Sequence, residues 1–275
     1  MALARDRCIC LRKLDYSETS QILLLFAREH GLLRVIAKGA HRRTKAGASK
    51  FDGGLDLLDV GDAVFTFDPG KELNLLTEWG LREGHLELRR SLRAMYLAQY
   101  AAELIALLFE EHDAHPALFD RLAQSLPELA TPRAEETFLA FQLDLLREGG
   151  YLPGLSCCGE CGRPAGEQES FFSPARGGVV CRNCEGAVPD RMSVDARLLR
   201  LMQGMLRLPR DGNGSGMPPR LPRLTRHQTD PVNRLLADHV EHTLGRRLRL
   251  SKYVLGDADG AAVAPARAEL RPATS

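Results

Sequence analysis

Cys158-Gly-Glu-Cys161-Gly162, and then Cys181-Arg-Asn-Cys184, is the stretch around which the rest of the chain can be arranged. Nineteen residues separate Cys161 from Cys181. Each C-x2-C pair can fold into a tight knuckle that presents two thiolates to one tetrahedral ion, and two pairs at this separation carry the spacing of a zinc site. With Cys158, Cys161, Cys181 and Cys184 as ligands, sulfur fills every coordination place and leaves none for a reactive water. The one Zn2+ expected here is therefore structural. Cys157 is an alternative ligand, although Cys158 gives the standard two-residue gap. Unligated or disulfide-bonded cysteines are the competing reading.

Working outward, 275 residues give room for one large or two modest domains. No stretch approaches the roughly 18 uninterrupted apolar residues of a membrane span. The start, Met-Ala-Leu-Ala-Arg-Asp-Arg, runs into a charged, strand-like pattern rather than a signal peptide. Both features point to the cytoplasm, where paired thiols bind metal more often than they cross-link. Cys8 and Cys10, two residues apart, face one side of a strand and read as core filling.

A net charge of +1 argues against a chain that binds nucleic acid by bulk charge alone, so the distribution matters more. From Arg34 to Lys50 there are six Lys or Arg and no acid. From Leu81 to Ser156 twelve acids oppose seven bases, and from Asp190 to Lys252 thirteen bases oppose six acids.

Residues 1–80 read as short strands: Arg7 to Leu14, Ser20 to Ala27, Leu32 to Ala37, Ala63 to Phe67 and Leu73 to Trp79, punctuated by Gly and Pro. Five strands suit an OB-type barrel, with an SH3-like barrel as the competitor. After Leu81 the period changes. Leu97, Tyr100, Ala101, Leu104, Ile105 and Leu108 predict a helix from about His85 to His112. Pro116, Pro127 and Pro132 punctuate two more, the second carrying Phe138, Phe141 and Leu145 inward. A further helix is predicted over Asp195 to Leu208, with Leu198, Leu201, Met202 and Met205 inward. The Pro/Gly/Ser-rich residues 209–222 read as a loop, and Pro231 opens a last helix. Thus 81–255 is predicted to be an α-helical domain, with a zinc-ribbon-like module at 153–190 inserted between its third and fourth helices. Chain on both sides of the module is expected in one core, and 256–275 reads as a disordered tail.

The sequence has no P-loop, H-E-x-x-H or G-x-S-x-G motif. His112-x2-His115 and His239-x2-His242 lack an acidic third ligand. Asp52, Asp56, Asp59 and Asp62 read as solvated loop and strand-edge residues rather than a cation site. The stronger lead is Arg34-Val-Ile-Ala-Lys38-Gly-Ala-His41-Arg42-Arg43-Thr-Lys45, with Lys50 beyond it. Its cations lie beside a β-face and suit a phosphate backbone. Phe51 and Phe65 are candidates for base stacking, although Phe65 alternates like a core residue.

Several stretches resemble one known family. Asp15-Tyr-Ser-Glu-Thr-Ser20, Leu24-Leu-Phe-Ala-Arg-Glu-His-Gly31 and Val35-Ile-Ala-Lys38-Gly-Ala-His-Arg-Arg43 resemble the amino-terminal domain of RecO, the bacterial DNA-repair and recombination mediator family. The likeness continues through Leu75-Leu-Thr-Glu-Trp79, Tyr100-Ala-Ala-Glu-Leu104, Leu155 to Gly162, Phe172 to Cys181 and Leu244 to Lys252, in the family's order. The resemblance implies an OB-fold front domain, a helical body and a zinc-ribbon-like insertion. It also implies a non-enzymatic role in the RecFOR pathway, acting at the bacterial nucleoid. That role covers binding of single- and double-stranded DNA, strand annealing, association with RecR and with single-stranded-DNA-binding protein, and help in loading RecA. Arg34, Lys38, His41, Arg42, Arg43, Lys45 and Lys50 are then the expected DNA contacts. The Arg-rich part, Arg197, Arg200, Arg220, Arg223 and Arg226, is a candidate receiver for an acidic partner tail. From a different class, composition alone also allows a zinc-ribbon transcription or RNA-processing factor.

Overall fold

A computed structural model of the chain describes residues 2–39, 51–52, 55–165, 170–208 and 221–255. The amino-terminal part is a six-stranded sheet: β1 (Ala2–Asp15), β2 (Ser20–Ala27), β3 (Gly31–Lys38), β4 (Phe51–Asp52), β5 (Val60–Phe67) and β6 (Asn74–Glu83). The strand order is β3-β2-β1-β5-β6-β4, and a further parallel pairing of β3 with β6 brings the two ends together. Five strands thus close on themselves in an OB-like order. Alternate residues fill the interior, among them Cys8, Cys10, Leu23, Leu25, Leu33, Val35, Phe65, Leu76 and Trp79. Cys8 and Cys10 are core residues, as their spacing predicts. Burial pushes both thiols up, that of Cys10 to about 12.

The opposite face of the sheet is divided along its length. Ile9, Phe26 and Leu32 lie side by side in register, and all three are buried. Helices α1 (Leu92–Leu108), α2 (Pro116–Leu129) and α3 (Ala134–Glu148) follow the sheet, and Phe26 meets Phe119 of α2 with ring centroids 5.8 Å apart. Arg28 donates to both carboxylate oxygens of Asp120, at 2.9 and 2.7 Å. The His112 N–H donates to the Leu32 carbonyl at 3.0 Å. Gly31 is the tightest point. It has φ +68°, and a Cβ there would lie 2.1 Å from the Asp113 carbonyl oxygen.

Helix α1 starts later than its stripe suggests, because the Ser91 side chain accepts from the Ala94 N–H and caps it. Residues Leu86–Arg90 form a separate short turn of 3-10 helix. The inward sides of α1 and α3 are as predicted, with Leu97, Tyr100, Leu104, Phe138, Phe141 and Leu145 all buried. Pro127 lies inside the last turn of α2 rather than ending it.

The remaining elements are a three-stranded sheet of β7 (Ser170–Ser173), β8 (Gly178–Cys181) and β9 (Met192–Val194), then α4 (Ala196–Arg207), α5 (Arg226–Leu244) and α6 (Ser251–Val254). Helix α4 buries Leu199, Met202 and Met205, so Leu199 takes the inward place expected of Leu198 and Leu201. Helix α5 begins at Arg226, before Pro231, and an Arg226–Asp230 pair at 3.1 Å spans its first turn.

The chain divides into two compact units, Met1–Gly150 with Asp211–Thr225, and Tyr151–Arg210 with Arg226–Ser275. The first unit runs on past the sheet to Gly150. Phe26–Phe119 and Arg28–Asp120 hold α2 against the sheet, and the Leu32–His112 bond holds the segment before it. Helices α3 and α4, on either side of the cysteine module, fall in different units. The 256–275 tail, and all but 221–222 of the predicted 209–222 loop, lie outside the described residues. None of the described helices is long and apolar enough to cross a membrane.

Candidate metal centre and nucleic-acid face

The cysteine module is built by backbone hydrogen bonds that aim four sulfurs at one point. The Gly162 N–H donates to the Cys158 carbonyl at 2.9 Å, and the Cys158 N–H to the Arg163 carbonyl at 2.8 Å, closing the first knuckle. The Cys184 N–H donates to the Cys181 carbonyl at 2.9 Å and closes the second. The strands bring the knuckles together: the Gly159 N–H donates to the Val179 carbonyl at 2.8 Å, and the Cys181 N–H reaches the Cys158 sulfur at 3.3 Å.

All four sulfurs lie within 4.8 Å of one another, and no other such group occurs among the described residues. The Cys161 and Cys181 sulfurs are 3.7 Å apart. A tetrahedral ion with metal–sulfur bonds of about 2.3 Å has sulfur–sulfur edges of about 3.8 Å, so the donors fit such an ion. The metal-free thiols are already polarised. The Arg163 side chain, donating to the Cys161 sulfur at 3.4 Å, pulls that thiol down to about 6. Burial opposes ionisation of Cys158, but the N–H groups of Cys181, Cys161 and Glu160 outweigh it and lower its pKa. Cys184 is pushed up to about 12 by hydrogen bonding to Cys161 and Cys181. Cys157 is exposed and stands outside the cluster.

This arrangement predicts the order in which thiols react with Ellman's reagent. The metal-loaded chain should react at Cys157 alone, because metal-bound thiolates are protected and Cys8 and Cys10 are fully buried. Chelation should release the four ligands, and Cys8 and Cys10 should follow only on unfolding. Fast reaction of all seven in the native, loaded chain would contradict it.

The expected DNA contacts are described only in part. Arg34 and Lys38 project from the exposed side of β3, and Arg34 pairs with Glu111 at 2.7 Å. His41, Arg42, Arg43, Lys45 and Lys50 lie outside the described residues. Phe51 and Phe65 are buried and cannot stack on bases, which corrects that expectation: both belong to the interior of the sheet. Three of the four aspartates are structural. Asp56 accepts from Lys13 at 2.9 Å and Arg89 at 2.8 Å, Asp59 accepts from the Asp56 N–H at 2.7 Å, and Asp62 pairs with Arg82. Asp52 is in the short strand β4. Of the histidines, His115 bonds Asp113 at 3.1 Å and Glu148 at 3.3 Å, and His239 bonds the Tyr151 carbonyl at 2.9 Å. The Arg-rich set is divided. Arg223 bonds the Pro132 carbonyl at 3.1 Å within the first unit, while Arg197, Arg200 and Arg226 belong to the second; Arg220 lies outside the described residues.

Strict alternation along β1 hides further residues of this face. The β1–β2 register shifts between Cys10 and Arg12, a bulge that reverses the alternation. Residues 8 and 10 point inward, yet Arg12 and Leu14 emerge outward, opposite Leu24 and Ile22. Tyr16 follows at the turn, where it is 65% exposed. A sharp register shift is the signal that would have found them, and it is visible only once the strands are paired.

Comparison with known proteins gives a consistent result. A family model described as Recombination protein O N terminal matches residues 1–85, and one described as Recombination protein O C terminal matches residues 89–252. A DNA repair protein RecO of Anaeromyxobacter sp. (strain K) is 31% identical over 251 residues, covering 90% of this chain and 93% of the relative. That of Rhodopirellula baltica is 38% identical over 179 residues, 64% of this chain and 65% of the relative. A Dehalococcoides mccartyi protein of the same name (strain CBDB1) is 33% identical over 66% of this chain and 69% of its own length. Two family models in tandem, and relatives alike over nine-tenths of the chain, make this protein a member of the RecO family.

Proposed function

We propose that this protein is a DNA-binding mediator of recombinational repair, and that it acts without catalysis of its own. Its family membership, with relatives named as DNA repair proteins, supports a role in DNA repair. The observation that carries the DNA reading is local. Strand β3 sets Arg34 and Lys38 on the exposed side of an OB-like sheet, and the chain then runs into Arg42, Arg43, Lys45 and Lys50 with no acid between. Cations so placed take a phosphate backbone without reading sequence. On this reading the protein binds single- and double-stranded DNA and anneals strands. It works with RecR and single-stranded-DNA-binding protein in loading RecA. A single Zn2+ on the four cysteines holds the second unit's module together and takes no part in chemistry.

Replacing Arg42, Arg43 and Lys45 together by Ala tests it. Loss of three phosphate contacts should lower the slope of log affinity against log salt by about 2 to 3 and weaken single strands and duplexes alike. An unchanged slope in equilibrium titrations on both forms would remove these residues from the interface.

A further inference from the structure

The outer side of β1, β2 and β3 carries more than cations. Three cross-strand rows follow one another along it, and the helices cover none of them completely. Arg12, Leu24 and Arg34 form the row next to the buried Ile9–Phe26–Leu32 row. Leu14, Ile22 and Ile36 form the next, and beyond them Ser20 stands opposite Lys38. Tyr16 joins this last row, since its N–H donates to the Ser20 carbonyl at 3.0 Å. The bulge in β1 is what turns Arg12, Leu14 and Tyr16 to this side.

The composition is unusual for the outer side of a small sheet, which is ordinarily polar. Leu14 is 61% exposed and Tyr16 is 65% exposed, while Ile22, Leu24 and Ile36 are half-buried beside them. The turn that carries Tyr16 is fixed: the Ser17 N–H also donates to the Ser20 carbonyl, at 3.1 Å, so the ring is displayed on an ordered backbone. Cations stand at both ends of the apolar row, separated by about 13 Å along the strands. A groove of about 420 Å³ opens at the Arg12–Arg34 end, and Glu110 and Glu111 form its far side.

We infer that this face is a platform for one unpaired strand of nucleic acid, with Tyr16 as the residue on which a base stacks. The inference rests on the DNA-binding reading above and deepens it. Exposed bases have apolar faces that suit Leu14, Ile22, Ile36 and the Tyr16 ring, and the flanking Arg12 and Lys38 suit the phosphates, while Arg34 is held by Glu111 at 2.7 Å. A duplex keeps its base faces stacked inside and can offer this surface only its backbone. Because only an unpaired strand presents base faces to the apolar row and Tyr16, the platform selects single strands, whereas the basic segment at 42–50 serves both forms.

Titrations of the full-length protein with fluorescent oligothymidine and with a duplex of equal length decide it. Tyr16→Ala should weaken the single strand about tenfold and leave the duplex and both salt slopes unchanged. Tyr16→Phe should restore single-strand binding, because stacking uses the ring and not the hydroxyl. Equal loss on both forms, or no loss on either, overturns the platform. In the second case the exposed apolar row belongs to a protein partner. The Arg42, Arg43 and Lys45 variant separates this outcome from failure of the broader reading: it should weaken both forms while Tyr16→Ala weakens one. A parent protein that binds neither form would defeat both.

Discussion

Cys158→Ser is expected to strip the metal from the chain and unfold the segment between Tyr151 and Val194, with the full-length protein still binding duplex DNA at the parent's affinity. The core beneath the knuckles is small: Cys158, Val180 and Val188, with Phe171, Cys181 and Cys184 partly buried against it. In small modules of this kind the binding energy of a four-thiolate ion is folding energy. Removing the buried ligand, which also accepts the Cys181 N–H, takes away the ion and a backbone anchor together. Zinc content by atomic emission should fall to zero, and limited proteolysis should cut within 151–194. A metal-free variant that resists protease there would show that the module stands on its own packing. Duplex affinity that falls with the metal would show that the brace also shapes the DNA site.

Gly31→Ala should destabilise the first unit by about 2–5 kcal/mol. An L residue in the left-handed region costs about 1–2 kcal/mol, and forcing atoms into a filled space about 1–3 more. Here the obstacle is backbone, the Asp113 carbonyl at 2.1 Å, so a side-chain rotation cannot relieve it. The 109–115 segment would have to lift from β3, breaking the His112–Leu32 hydrogen bond and the Arg34–Glu111 pair. Trp79 is the chain's single tryptophan and is 1% exposed, which makes its fluorescence a clean reporter in urea. Gly70→Ala is the control, because its Cβ would meet only the end of the Asp68 side chain at 3.5 Å. If both variants melt at the parent's midpoint, the close approach at Gly31 is not structural.

Much of this was legible in the residues, for identifiable reasons. The bounds of strand β2 follow from the residues, because Ser20 to Ala27 is a nearly continuous apolar run between turn residues. The inward faces of α1 and α3 follow from the 3.6-residue period. The cysteine cluster follows from spacing that only a shared ion explains well. What failed depends on partners distant in sequence. Phe51 stands in the sequence as a stacking candidate, but its pairing beside Trp79 places it in the core. The outward turn of Arg12, Leu14 and Tyr16 depends on a bulge, which one strand's pattern cannot reveal.

The closing pairing of β3 with β6 also sets a schedule. It joins Val35–Ala37 to Asn74–Leu76, and β1 finds its second neighbour only when β5 arrives. On the ribosome the β1–β2–β3 meander can form as soon as it emerges. Until β6 follows, it waits with an unpaired edge on each side, one of them the fourteen-residue β1. Such edges are templates for joining other chains, and sheets built from distant pairings fold slowly. Synthesis rate and crowding across the first eighty-three residues should therefore govern the yield of active protein more than the stability of the finished sheet does.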